Sequence, residues 1–253
     1  MNNKVFKKVR LIQVKGNSAT PVLESIIKES PLTININGRH YANVNTFLGK
    51  QEKELVVGYL FSQGIINRAK DIKSLSIKNH VADVTLKKNI AKQSNKNKIK
   101  STLKVTKEDV FNCVRAVLKS EIFAKTEAVH CAGLFLHGKE HVVIAEDIGR
   151  HHALDKVIGA ALLQDIPLNE TVVASTGRMA SEMVIKICRA GIPIIATKAA
   201  VTDRGVALAD KYGVTLNGFV RDTGTTMNTD MSTRVFKKAG MKIYSGAERV
   251  LCE

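Results

Sequence analysis

The chain has few cysteines and no pattern among them. Cys113, Cys131, Cys188 and Cys252 form no C-x-x-C pair and show no metal-ligand spacing. That argues against a disulfide scaffold and against a structural zinc site. Tryptophan is absent, and aromatic residues are not interleaved with basic ones as in a platform that stacks single-stranded bases. No apolar run approaches the ~18–20 residues that a membrane span needs. The N-terminal MNNKVFKKVR lacks the apolar stretch of a secretory leader. Neither G-x-G-x-x-G nor G-x-x-x-x-G-K-[ST] occurs, so a Rossmann cofactor or a P-loop is unsupported. These absences lead to the expectation of a soluble, cytoplasmic protein with no membrane partner.

What is present is a normal hydrophobic complement and an excess of positive charge. Of 253 residues, 44% are hydrophobic, enough for a packed core. The net charge of +16 is unevenly placed: residues 1–110 carry 21 Lys and Arg against 8 Asp and Glu, leaving 18 against 15 in the remainder. A basic half suits an anionic partner such as a nucleotide, a nucleic acid or an acidic protein. Without a stacking platform, nucleic acid takes a minor share.

The N-terminal third reads as small β-rich units around one helix. PLTININGRHYANV alternates Leu32, Ile34 and Ile36 before Asn37-Gly38, a pair suited to a type I′ turn. EKELVVGYLFSQG has helical spacing and ends at Gly64; SLSIKNHVADVTL reads as a second strand pair. KKNIAKQSNKNKIK, residues 87–100, has six lysines and no acid, and reads as a linker. The chain is therefore expected to divide into a small β-rich domain, 1–104, and an α/β domain, 105–253. In the second, Thr106 and Asp109 suggest a capped helix whose apolar stripe includes Cys113. Strands AVHCAGLFL and HVVIAE follow. Then helices and strands alternate through RHHALDKVIGAALL, TVVAS, ASEMVIKICRAG, IPIIATK, DRGVALADKYG and VTLNGFV, the pattern of an α/β layered domain.

Ligands in such domains bind beyond the C-terminal ends of strands. Those ends read EDIGRHH (146–152), STGRMASE (175–182), TKAAVTDR (197–204) and FVRDTGTT (219–226), each with a cation and all but the third with a glycine. Glycine permits close backbone approach, helix N-termini attract anions, and the forked donors of Arg150, Arg178 and Arg221 match phosphate. A phosphorylated ligand and ordinary loop chemistry stand at even odds on spacing alone. Asp147, Asp155 and Glu182 have bland roles near helix starts. His151 and His152 lack the i, i+4 spacing of a helical zinc site, so no metal is assigned.

The stretches EDIGRHHALDKVIG, STGRMASEMVIK, GIPIIATKAAVTDRGVALADKYGVTLNGFVR and IYSGAERV, with PLTININGR and VVGYLFSQGII upstream, resemble the FdhD/NarQ family of formate dehydrogenase accessory proteins. The resemblance implies a cytidine-deaminase-like α/β domain with a smaller N-terminal domain, often as a homodimer. It implies a sulfur carrier between a cysteine desulfurase and the bis-molybdopterin guanine dinucleotide cofactor of formate dehydrogenase. It also implies that Phe219, Val220, Arg221, Asp222, Thr223 and Gly224 bind the guanine nucleotide portion of that cofactor, alongside Gly177, Arg178 and Arg150. An insertion, TGTTMNTDMSTRVFKKAGM (223–241), sets this chain apart.

A larger departure lies upstream. The family's C-G-x-C-G motif, whose first cysteine would carry the persulfide, corresponds here to NKNKIKSTLK (95–104), without cysteine. Sulfur relay requires a thiolate, and lysine or serine cannot replace it. Cys131 and Cys252 are the weak remaining candidates, the first in a packed strand and the second in the C-terminal tail. His130 and Cys131 are adjacent in an extended strand, so they point to opposite faces and do not form a base–nucleophile pair. His130-Cys131-Ala132 also lacks the glutamate of a zinc deaminase. The expected function is that of a cofactor-binding accessory protein supporting sulfuration; the alternative is a cofactor chaperone without sulfurtransferase activity.

Overall fold

The computed structural model describes residues 5–90, 98–222, 226–229, 232–235 and 239–252. The chain opens with two long antiparallel strands, β1 (Phe6–Lys15) and β2 (Ser18–Ile27). The next strands, β3 (Ser30–Ile36) and β4 (Arg39–Thr46), turn at Asn37 and Gly38, whose φ angles of 51° and 78° are those of a type I′ turn. After α1 (Glu52–Ser62) come β5 (Ile72–Lys78) and β6 (Val81–Leu86), turning at Asn79 and His80, again both left-handed. The four form one sheet of order β4-β3-β6-β5.

The second half begins at β7 (Val105–Thr106), α2 (Lys107–Leu118) and α3 (Glu121–Thr126). Thr106 and Asp109 cap α2 reciprocally, with Asp109 N–H donating to Thr106 Oγ1 at 3.1 Å and Thr106 N–H to Asp109 Oδ2 at 2.9 Å. Strands β8 (His130–Leu136) and β9 (Glu140–Asp147) lead to α4 (Arg150–Leu163), β10 (Thr171–Ser175), α5 (Ser181–Ala190), β11 (Ile194–Thr197), α6 (Asp203–Tyr212) and β12 (Thr215–Arg221). A short hairpin, β13 (Thr226–Thr229) and β14 (Ser232–Val235), falls in the inserted segment; β15 (Gly240–Ser245) and β16 (Val250–Leu251) follow. The large sheet runs β15-β12-β11-β10-β8-β9, with β10, β11 and β12 parallel and the outer strands antiparallel.

Alternation along the central strands sorts their side chains to two buried clusters. Cys131, Val172, Ala174, Ile194 and Ala196 meet α2, through Val110, Cys113, Val114 and Val117. Leu134, Val173, Ile195 and Leu216 meet Leu154, Ile158, Met183 and Ile187 of α4 and α5. That second cluster also includes Leu32, Ile34, Ala82 and Val84 of the small sheet and Leu55, Val56 and Leu60 of α1.

The junction between α1 and α4 is unusually close. A Cβ on Gly58 would stand 1.8 Å from the Asp155 carbonyl oxygen, and one on Gly159 would stand 1.9 Å from that of Glu54. Both glycines are therefore required by backbone contact. Buried charges reinforce the junction. Asp155 accepts hydrogen bonds from Ser62 Oγ and Lys186 Nζ, each at 2.6 Å, while burial lifts its carboxyl above the ordinary range. Asp147 accepts from Thr46 Oγ1 at 2.5 Å and lies 2.8 Å from Lys156 Nζ. Burial opposes its ionisation, but His152, Lys156 and Thr46 outweigh it and hold the carboxyl below its usual range.

Candidate functional site

The C-terminal ends of β10, β11 and β12 lie side by side because the three strands are parallel. The loop after β10 is folded by short-range hydrogen bonds: Gly177 N–H donates to Ser175 Oγ at 3.0 Å, and Thr197 Oγ1 donates to the Gly177 carbonyl at 2.7 Å. Lys198 N–H reaches the Ser175 carbonyl at 3.3 Å, and Phe219 N–H the Ala199 carbonyl at 3.0 Å. The three loops are thereby tied in series.

Gly177 has a specific reason to be glycine. A Cβ there would meet Arg150 Cβ at 2.6 Å, so the start of α4 sits directly against the β10 loop. His130, at the first position of β8, faces the same space, with Nδ1 3.3 Å from Thr176 Oγ1. Burial, and then the charges of Arg150, Lys198 and Arg178, lower its pKa. Lys198 is half-buried over the Phe123 ring at 4.5 Å. Burial lowers its pKa, Glu127 opposes that shift and Arg221 adds to it. Three cations, Arg150, Lys198 and Arg178, therefore act on His130, and a fourth, Arg221, acts on Lys198, an arrangement suited to an anion carrying more than one charge.

Phe219 forms a rim. Its φ of 51° places a non-glycine residue in the left-handed region, at an irregularity in the β12–β15 pairing between Gly218 and Arg221. The Arg221 guanidinium lies 5.2 Å and the Lys242 ammonium 5.1 Å from its ring centre. Lys242 carried no sequence signal, since it arrives from β15 through antiparallel pairing with β12. Val220, 1% exposed, belongs to the buried cluster beneath the sheet, so only its backbone faces the rim. Asp222 is tied to Arg115 of α2, whose Nε donates to it at 2.9 Å and whose Nη2 makes a second bond. Thr223 and Gly224 lie outside the described residues. A separate cleft of about 740 Å³, flanked by Lys100, His137 and Arg249, opens at the opposite end of the sheet.

The model of the FdhD/NarQ family matches residues 27–102 and 88–251. The chain belongs to the FdhD/NarQ family. It is 32% identical to the "Sulfur carrier protein FdhD" of Saccharolobus solfataricus, over 91% of this chain and 98% of that protein. It is also 32% identical to the protein of the same name from Staphylococcus haemolyticus, over 88% of this chain and 94% of that one. A crystal structure described as a putative formate dehydrogenase accessory protein from Desulfotalea psychrophila superposes with a TM-score of 0.79 at 26% identity, covering 98% of this chain and all of that one.

For a member of the FdhD/NarQ family, the placement of the thiols is decisive chemistry. Cys113, Cys131 and Cys188 are buried and Cys252 is exposed. Burial pushes Cys131 up to about 12, with Ser120 opposing and Glu146 assisting; Cys113 rises to about 12 through burial and Asp109. Such thiols remain protonated and shielded, the reverse of what an attacking thiolate needs. His130 and Cys131 point to opposite sides of β8, the first toward the cation cluster and the second toward α2.

Proposed function

We propose that this chain binds the bis-molybdopterin guanine dinucleotide cofactor as a client and supports the maturation of formate dehydrogenase. The observation that carries the reading is the convergence of Arg150, Arg178, Lys198 and Arg221 on the ends of three parallel strands. The arginines hold the client's phosphates, Gly177 permits close backbone approach, and Phe219 and Arg221 contact the guanine nucleotide portion, with Val220 and Asp222 contributing backbone and rim. In the sulfur-carrier version, a cysteine desulfurase loads sulfur onto this chain before the cofactor receives it. We read the α/β half as cytidine-deaminase-like in its layering.

The burial of three of the four thiols favours a second version: the same site chaperones the cofactor and transfers no sulfur. Calorimetry with a guanine nucleotide tests the site shared by both versions. Arg221→Ala is expected to weaken binding at least ~10-fold, the loss of one charge-assisted contact. No binding by the wild-type chain, or none lost in the variant, refutes the site. Incubation with a desulfurase and radiolabelled cysteine separates the versions. Label retained on the chain and removed by Cys252→Ala supports the carrier; an unlabelled chain that still binds nucleotide supports the chaperone.

A further inference from the structure

The cleft at the opposite end of the sheet takes no part in the site above. Thr215 holds Arg249 at the cleft, and Arg221 flanks the Phe219 rim. These two are the ends of β12, so ~20 Å of strand separates them. The loops that build the cleft are tied down. Ile99 N–H donates to the Tyr212 carbonyl at 2.7 Å, Ser101 Oγ to the Asn169 carbonyl at 2.9 Å, and His137 N–H to the Glu170 carbonyl at 2.9 Å. The volume of about 740 Å³ is that of a preformed small-molecule site.

Arg249 decides what the cleft can hold. Its side chain is only 11% exposed, and its Nε is buried without an acceptor among the described residues. Nη1 donates to Thr215 Oγ1 and to Glu248 Oε1, each at 3.3 Å, and Nη2 has no partner among the described residues. Glu248 is 71% exposed and is therefore a weak counter-ion. A guanidinium this buried calls for a better acceptor. Lys100 lines the same cleft and makes no ion pair among the described residues. The N–H groups of Lys100, Ser101 and Thr102, also in the lining, make no hydrogen bond among those residues either. Glu170 is the acid of the lining, and it turns to His137, whose Nε2 lies 3.7 Å from its carboxylate, rather than to Arg249 or Lys100.

We propose that this cleft binds a phosphate monoester of a small polyhydroxylated molecule, a sugar phosphate in class. The phosphate sits on Arg249, Lys100 and the free N–H groups, and the hydroxyls donate to Glu170. Charge and donor count set the class. A monoester brings nearly two negative charges and three strong acceptor oxygens, which two cations and three N–H groups satisfy together. A carboxylate brings one charge and two oxygens, and leaves donors over. Glu170 repels any anion beside it, so the phosphate lies against the two cations that Glu170 does not pair with. An ionised carboxylate only accepts hydrogen bonds, so it faces donors, and the hydroxyls of a sugar supply them. Ile99 and Leu103 give the apolar part of the wall. The guanine-nucleotide reading is not needed for this site, which stands on residues at the other end of the strands.

The test is calorimetric titration of the full chain with ribose 5-phosphate, inorganic phosphate and citrate at millimolar concentration, in the presence of a guanine nucleotide to occupy the other site. Ribose 5-phosphate is expected to bind best. Arg249→Gln should weaken it at least ~10-fold, the loss of a charge-assisted contact. Lys100→Ala removes an exposed side chain that holds nothing in the fold, and should weaken it ~2–5-fold with an unchanged circular dichroism spectrum. Glu170→Gln should lower the preference for ribose 5-phosphate over inorganic phosphate ~5-fold, the loss of a charged acceptor for a ligand hydroxyl. A wild-type chain that binds none of the three probes overturns the proposal. Binding that is equal in Arg249→Gln, Lys100→Ala and wild type overturns the cleft as its place. Citrate bound as tightly as ribose 5-phosphate overturns the phosphate class, and an unchanged preference in Glu170→Gln overturns the sugar. A chain that takes up no guanine nucleotide fails the cofactor reading alone, because the Arg249 and Lys100 variants still locate the sugar phosphate.

Discussion

Gly58→Ala adds one methyl where two helices touch through their backbones. The new carbon would lie 1.8 Å from the Asp155 carbonyl oxygen and 2.6 Å from its carbonyl carbon. An ordinary carbon–oxygen contact is ~3.3 Å, so α1 and α4 must part by ~1.5 Å, because main-chain atoms cannot rotate aside as a side chain does. Alanine returns ~1 kcal/mol through its better helix propensity. Against this, a gap of that size forfeits about half of the dispersion energy along the contact, and overpacking of this kind costs ~1–3 kcal/mol or more. The Ser62–Asp155 hydrogen bond spans the same junction at 2.6 Å, and stretching it adds ~1.5–3 kcal/mol. The net expectation is a loss of ~1.5–5 kcal/mol, reaching the severe end for a single methyl. For a chain of this size it lowers the melting temperature by ~3–20 °C. Urea titration followed by circular dichroism measures it. Gly240→Ala, whose added carbon meets nothing within 4 Å among the described residues, is the neutral control. Gly159→Ala opens the same gap from the other side, so the double variant should cost well under the sum of the singles. Residues 1–104 and 105–253 should lose structure together, since α1 and α4 come from either side of that boundary. A Gly58→Ala chain within ~1 kcal/mol of wild type, or strict additivity, would refute the reasoning.

Two further predictions concern buried charge. Lys186→Ala leaves the Asp155 carboxylate with Ser62 alone and should cost ~3–5 kcal/mol, most of it recovered by adding Asp155→Asn; denaturant titration of the single and double variants checks this. Burial, and then the charges of Lys186 and Arg150, lower His151 from 6.5 to about 4, so the folded state resists protonation there more than the unfolded state does. The stability this residue confers is full above pH 6.5 and is lost as pH falls toward 4. Because the ring is about a quarter exposed, the loss is ~2 kcal/mol rather than the full ~3.4 that the shift represents, and a flattened acid limb in His151→Gln is the check.

Much of the core was legible in short-range pattern. Asn37-Gly38, the Thr106–Asp109 cap and the glycines ending α5 and α6 at 191 and 213 are local conformational requirements, and each appears where the sequence places it. The alternating strands and helices after residue 129 were readable because period 2 and period 3.6 differ sharply. The β1–β2 ribbon escaped because an exposed ribbon has no buried face to impose alternation. The strand β15, and with it Lys242, escaped because its pairing with β12 is made across the inserted segment. The linker expected at 87–100 falls in part on residues 91–97, outside those described.

By itself the sequence determined the Asn37-Gly38 hairpin, the alternating elements after residue 129, the basic balance, the absence of a C-x-x-C pair and which strand ends carry arginine. These depend on neighbouring residues or on composition, so no folding is needed to read them. Only the tertiary structure decided that Arg150, Arg178 and Lys198 act on His130 and Arg221 on Lys198, that Gly177 is pressed against Arg150, and that Cys131 is shielded on the far side of the strand from His130. The physical reason is that charge coupling and burial are set by distances across the fold, and parallel strand pairing brings together loops that lie tens of residues apart along the chain.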